Sequence, residues 1–122
     1  MNTKGLGNKG EDAAAAHLEQ KGYAILERQY RTPAGEIDLI ARDGKTLAFV
    51  EVKTRRNARY GLPSAAVGPE KQQRIVRSAM WYMSRLAGDE PPCRFDVVEV
   101  YAPPGGEWKI RHIENAFEAD GI

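Results

Sequence analysis

The stretch "GEIDLIARDGKTLAFVEVKTRR", residues 35–56, carries an apolar run from Leu47 to Val52 that is interrupted by Glu51 and followed by Lys53. Ionised side chains in an apolar strand are costly unless they are paired or bound to a metal. Asp43 and Gly44 form the strongest hairpin signal in the chain, so Glu36 to Ala41 and Thr46 to Lys53 are expected to be antiparallel neighbours. A two-residue turn at Asp43 and Gly44 sets Asp38 opposite Phe49 and Glu36 opposite Glu51. Because side chains alternate along a strand, Asp38, Glu51 and Lys53 then emerge on one face, with Asp38 and Glu51 diagonal neighbours roughly 7 to 8 Å apart at the backbone. A cation near these carboxylates would relieve their repulsion.

Working outward, the preceding segment reads as a helix over Glu11 to Lys21, with Asn8 as N-cap and Gly22 as the terminating glycine. Glu11 shares a helical face with Ala14, Ala15 and Leu18, an unusual place for a carboxylate. If this helix covers the face that carries Asp38 and Glu51, Glu11 joins them. Gly5, Gly7 and Gly10 match the spacing of a dinucleotide-binding turn, but too few residues precede them for the strand that such a turn needs. Tyr23 to Tyr30 reads as a first strand, followed by a turn at Thr32 to Gly35.

Beyond the quoted stretch, Arg55 to Gly68 is expected to be a long surface loop, and Pro69 to open a second helix with Ile75, Val76, Ala79, Met80, Met83 and Leu86 as its apolar stripe. Trp81 falls on the basic side of that helix, where packing is favoured over stacking on a base. Phe95 to Tyr101 and Trp108 to Ile113 read as the last two strands. A helix between the third and fourth strands makes a right-handed crossover that sets Phe95 to Tyr101 parallel to a neighbour in the same sheet, giving a mixed sheet.

The chain has 122 residues, 42% of them hydrophobic and 29% charged, which fits one globular domain over residues 1–122. Its apolar runs are too short to cross a membrane and its first residues lack the apolar core of a secretory signal, so a cytoplasmic protein is expected. The lone Cys93 fits a reducing compartment and the role of a small half-buried hydrophobe. The net charge of +1 conceals an asymmetry: from Lys53 to Arg85 there are eight basic residues against Glu70 alone, leaving the remainder net acidic. A basic flank of this kind suits a polyanion, through backbone phosphate contacts from Arg55, Arg56, Lys71 and Arg74.

Oxygen donors without paired histidines or cysteines suit Mg²⁺ or Mn²⁺ rather than zinc. Such an ion polarises a phosphoryl oxygen and acidifies water, and an adjacent lysine can orient that water or stabilise charge developing on phosphorus. His17 and His112 lie in different elements without ligand spacing, and surface or capping roles are favoured for both.

The same stretch, with "GNKGEDAAAAHLEQKGYAIL" before it and "RFDVVEV" and "IENAF" after it, resembles the small bacterial YraN-like family. That family is similar to Holliday-junction resolvases of the PD-(D/E)XK nuclease superfamily. The resemblance implies an α/β, restriction-endonuclease-like αβββαβ core with a mixed central sheet flanked by helices. It implies catalytic and metal-binding roles for Asp38, Glu51 and the helix-one Glu11, with Lys53 completing the ExK pair. Ile37 stands where the superfamily's name has proline, and Gln29 where asparagine is expected before Tyr30 and Arg31. The implied activity is metal-dependent endonucleolytic cleavage of nucleic acid, DNA favoured over RNA and branched or structured DNA included, by a homodimer spanning two strands. The alternative is an inactive nucleic-acid-binding or scaffold module on the same fold.

Overall fold

A computed structural model describes residues 3–56 and 67–119, ordered as α1 (Thr3–Gln20), β1 (Ala24–Thr32), β2 (Gly35–Asp43), β3 (Thr46–Arg55), α2 (Pro69–Ser84), β4 (Cys93–Tyr101) and β5 (Lys109–Phe117). The strands form one sheet in the order β1-β2-β3-β4-β5. Its β3/β4 pair is parallel and the other three pairs are antiparallel. This is the α/β, restriction-endonuclease-like αβββαβ core with a mixed sheet between helices. Most of the expected surface loop, residues 57–66 and with it Arg59, lies outside the described residues.

Alternation along β3 sorts the core into two layers. Leu47 and Phe49 pack with Ile75, Val76, Ala79 and Met83 of α2, whereas Ala48 and Val50 pack with Ala14, Ala15 and Leu18 of α1. Each helix therefore buries its apolar stripe on a different face. Burying side chains such as Phe49 and Leu18, both fully enclosed, is worth about 1.5–3 kcal/mol each.

α1 begins earlier than its expected cap, so Asn8 lies inside the helix and Gly5, Gly7 and Gly10 are helical residues rather than a turn. Gly10 explains how this end can lie against the sheet: a Cβ there would stand 1.9 Å from Thr54 Oγ1. Gly22, at φ +94, follows the end of the helix as expected. On α2, Met80 is 59% exposed and Leu86 falls past the last turn, so the apolar stripe is narrower than expected. Buried Ser78 takes part instead, through a 3.0 Å hydrogen bond with Thr32 Oγ1. The same Thr32 oxygen accepts the N–H groups of Ala34 and Gly35, fastening α2 to the β1–β2 turn.

The hairpin is present, but its register lies two positions from the expected one: Asp43 pairs with Thr46 and Leu39 with Val50. The loop is Gly44 and Lys45, with Gly44 at φ +61 in the first loop position, where a II′ turn places glycine. A slip of two preserves the face of every side chain, whereas a slip of one would have inverted them all.

Candidate active site

The paired ladder between β2 and β3 stops at Leu39 and Val50. Alternation in β2 is interrupted at the same point, because Ile37 and Ile40, three positions apart, both join the α2-side core. Just past the last pair, the Val52 N–H donates to Asp38 Oδ2 at 2.8 Å, so a side-chain carboxylate takes the place of a backbone carbonyl. Ile37 pairs with Tyr30 and is fully buried, a mid-strand position where proline would contribute no N–H.

Asp38 and Glu51 line one hollow of about 340 Å³ with Gly35, Glu36, Lys71, Arg74 and Ile75. The hollow lies beside α2, so α2 rather than α1 covers the face that carries the carboxylates. Periodicity gives the apolar side of a helix but not the side of the sheet it will cover. Glu51 is 4% exposed, and its Oε1 receives the Lys71 ammonium at 2.5 Å and that of Lys53 at 3.5 Å. Lys71 and Arg74 thus stand at the site itself.

Burial, and then the negative charge of Glu51, push the Asp38 carboxyl up to about 7, against the Val52 hydrogen bond, which favours its ionised form. Burial, with Lys71 adding to it, lowers Lys53 from the usual lysine range despite the opposing pull of Glu51. For Lys71, burial is outweighed by the hydrogen bond and charge of Glu51, and its pKa is raised.

Glu11 approaches from α1 and lines a neighbouring hollow with Asn8, Asp12, Arg28 and Gln29 rather than sharing the one lined by Asp38 and Glu51. Its charge nevertheless contributes to the upward shift of Asp38. Gln29 Nε2 donates to Glu11 Oε2 at 3.0 Å, while Glu11 Oε1 is buried without a hydrogen-bond partner among the described residues. Gln29 sits at φ +48, a left-handed conformation that asparagine adopts more readily, which accounts physically for the residue expected there.

Among the described residues, no group of three or more Asp, Glu, His or Cys side chains is arranged to hold a metal. Mg²⁺ needs fewer, since it keeps several waters and commonly takes one or two carboxylates. Asp38 and Glu51 fit that donor chemistry, and the unpartnered Glu11 oxygen lies near enough for its charge to reach Asp38.

Arg55 Nε pairs with Glu99 Oε2 at 3.1 Å in a half-buried bridge, so its charge is already partly committed, and Arg56 is exposed just past β3. Trp81 is half-buried, with the Arg85 guanidinium 4.1 Å from its ring centroid. Cys93 is exposed rather than half-buried.

A second polar cluster escaped the sequence reading. Asp96 is fully buried and accepts from Arg94 Nε, His112 Nε2 and the Asn115 N–H. The His112 ring is 2% exposed, not superficial, and Lys21 Nζ lies 2.7 Å from its Nδ1. An ammonium can only donate, so this contact calls for an acceptor at Nδ1 and leaves Nε2 to donate to Asp96. Tyr23 links Arg94 to Glu114, ties the end of α1 to β4 and β5, and is raised to about 12, by burial first and then by its bond to Glu114. The signal was available: Asp96 interrupts the apolar strand around Phe95 to Val98 as Glu51 interrupts β3.

No helix among the described residues is long and apolar enough to cross a membrane. Residues 10–100 match the model of the family described as "Uncharacterised protein family UPF0102". A UPF0102 protein of Symbiobacterium thermophilum is 54% identical over 114 residues, covering 93% of this chain and 97% of the relative. One from Geobacter sulfurreducens is 49% identical over 113 residues, covering 93% and 88%. Another, from Chlorobium phaeobacteroides, is 50% identical over 117 residues, covering 92% and 93%. With the family pattern spanning most of the core and full-length relatives at this identity, the chain belongs to the UPF0102, or YraN-like, family.

Proposed function

We propose that the chain is a metal-dependent nucleic-acid phosphodiester hydrolase of the PD-(D/E)XK endonuclease type, a single nuclease-like domain acting on DNA, branched or otherwise structured DNA included. The observation that carries this reading is the hollow that Asp38 and buried Glu51 line with Lys71 and Arg74 at the end of the β2–β3 ladder, with Lys53 of the same strand reaching Glu51. Asp38 and Glu51 would hold Mg²⁺ or Mn²⁺, with Glu11 behind them. An ion bound there polarises a phosphoryl oxygen and lowers the pKa of water. Lys53, fixed on the strand beside Glu51, orients water and neutralises charge developing on phosphorus. Arg74, exposed at the mouth, and Arg56 hold the phosphate backbone.

One observation favours the second reading, a catalytically inactive nucleic-acid-binding or scaffold module: Lys71 already neutralises Glu51, as in a site that has dispensed with metal. Cleavage separates the two. Asp38→Asn and Glu51→Gln each remove ligand charge at nearly constant size. With duplex, single-stranded and branched DNA in Mg²⁺ or Mn²⁺, each should lower the cutting rate at least about a hundredfold, the scale of a loss of roughly 3 kcal/mol, while retaining binding. Wild-type protein that cuts none of these substrates, yet binds them as well as both variants, would establish the binding module instead.

A further inference from the structure

Glu51 presents two cations to one oxygen. Lys53 lies on the same strand, 3.5 Å away and 27% exposed, whereas Lys71 comes from α2, makes the closer contact at 2.5 Å and remains 43% exposed. One ammonium balances the charge of Glu51, and the second, brought from a different element, reaches it across the hollow that Asp38 also lines. Lys71 lines the hollow with Asp38 as well as Glu51, and its ammonium sits on the Glu51 oxygen that a divalent ion held there would take. Its long flexible stem and half-exposed head allow the ammonium to leave that position for solvent without moving α2.

Resting on the reading of this hollow as a metal-dependent phosphodiesterase site, we propose that Lys71 is a resident counter-cation: it holds the Glu51 oxygen in the free protein, and entry of a divalent ion turns it out to a phosphate of the bound nucleic acid. Two consequences follow by linkage. Lys71 competes with the ion, so it weakens metal binding in the absence of nucleic acid. Once displaced, it becomes a phosphate contact, so metal and nucleic acid strengthen one another's binding.

The test begins with Mn²⁺ alone, titrated calorimetrically into the full chain and into Lys71→Met, Lys71→Gln, Lys53→Met and Glu51→Gln variants whose folding is verified by thermal melting. Both Lys71 variants should bind Mn²⁺ at least about fivefold more tightly than wild type, the low end of ordinary coupling between linked sites, and Glu51→Gln should abolish binding. If Glu51→Gln abolishes binding but both Lys71 variants bind as wild type does or more weakly, the counter-cation role is overturned while the metal site stands. If wild type and Lys71 variants bind no Mn²⁺, or bind it regardless of Glu51→Gln, the reading of the hollow itself fails. A second arm uses phosphorothioate duplex DNA. Lys71→Met should reduce the salt slope of binding by about one with Mn²⁺ present and by about zero without it. An equal reduction in both conditions would make Lys71 a permanent phosphate contact and overturn the exchange.

Discussion

Replacing Asp96 by asparagine tests the buried cluster between β4, β5 and the end of α1. Asp96 Oδ1 accepts from Arg94 Nε at 3.1 Å and from the Asn115 N–H at 3.0 Å, and Oδ2 accepts from His112 Nε2 at 2.8 Å. An asparagine has one acceptor and one donor on these positions, so in either orientation its amide N–H₂ confronts a donor. Moving the imidazole proton to Nδ1 offers no escape, because Lys21 already donates there. Arg94, with a side chain 17% exposed, also loses its most buried counter-charge, although Asp43 remains at 3.2 Å. One buried unsatisfied donor costs about 1–3 kcal/mol and breaking a buried ion pair about 3–5, with the surviving Asp43 bridge pulling the total toward about 3 kcal/mol. For 122 residues at about 2.1 cal/mol/K each, that lowers Tm by about 12 °C. The hydrogen bonds from His112, Asn115 and Arg94 overcome the opposing cost of burial and hold Asp96 below the ordinary carboxylate range. Its stabilisation is therefore complete above the unfolded carboxylate value and is lost as pH falls through the lower folded one. Melting followed by circular dichroism should show the full gap between wild type and variant at pH 7 and a narrowing gap below about pH 4. A Tm within about 3 °C of wild type at pH 7, or a gap that widens in acid, would refute this account of the cluster.

Two further perturbations probe the helix and the phosphate contacts. Gly10→Ala gains about 0.5–1 kcal/mol of intrinsic helix preference, yet its Cβ would meet Thr54 Oγ1 at 1.9 Å and Thr54 Cβ at 3.0 Å. Rotating the threonine cannot clear both, so denaturant unfolding should show a net loss of about 1–3 kcal/mol, partly restored by adding Thr54→Ala. Nucleic-acid affinity should fall steeply with salt, and Arg74→Gln should flatten that dependence by about one unit of slope. Arg55→Gln should flatten it less, because Arg55 is already engaged by Glu99. Salt titrations that rank the two variants in the opposite order would assign the phosphate track to the end of β3 rather than to α2.

What was legible in the sequence was short in range. The Asp43–Gly44 hairpin is enough to bring Asp38 near Glu51, and an error of two in register leaves Glu51 and Lys53 on their expected face because the strand period is two, whereas the break in alternation between Ile37 and Ile40 has no local signal. That the sheet is mixed likewise follows from a helix placed between β3 and β4. The face each helix covers is a different kind of information, fixed by how the whole stripe of α2 fits Phe49, Phe95 and Val97, and no local pattern reports it. Hence Glu11 was expected over the carboxylates, where Lys71 is found. Lys71 was recognised as basic and near the site, but its bond to Glu51 closes across the long β3–α2 connection. The Asp96 cluster draws on Lys21, Arg94 and His112, residues scattered over three elements, and only the anomaly of a carboxylate in an apolar strand marks it.

The single hydrogen bond from the Val52 N–H to Asp38 Oδ2 joins the last ladder rung to the first atom of the site. The amide of Val52 is consequently shielded from exchange with solvent deuterium by the carboxylate at issue, rather than by the sheet as a whole. Asp38→Ala removes that shield together with the charge, so lost activity in an alanine variant would mix chemistry with the fraying of two strands. Asp38→Asn keeps an acceptor in place. The exchange rate at this one backbone position therefore records whether the Asp38 side chain is engaged with its own strand or has been drawn toward something in the hollow, and it can be read in a protein that catalyses nothing at all.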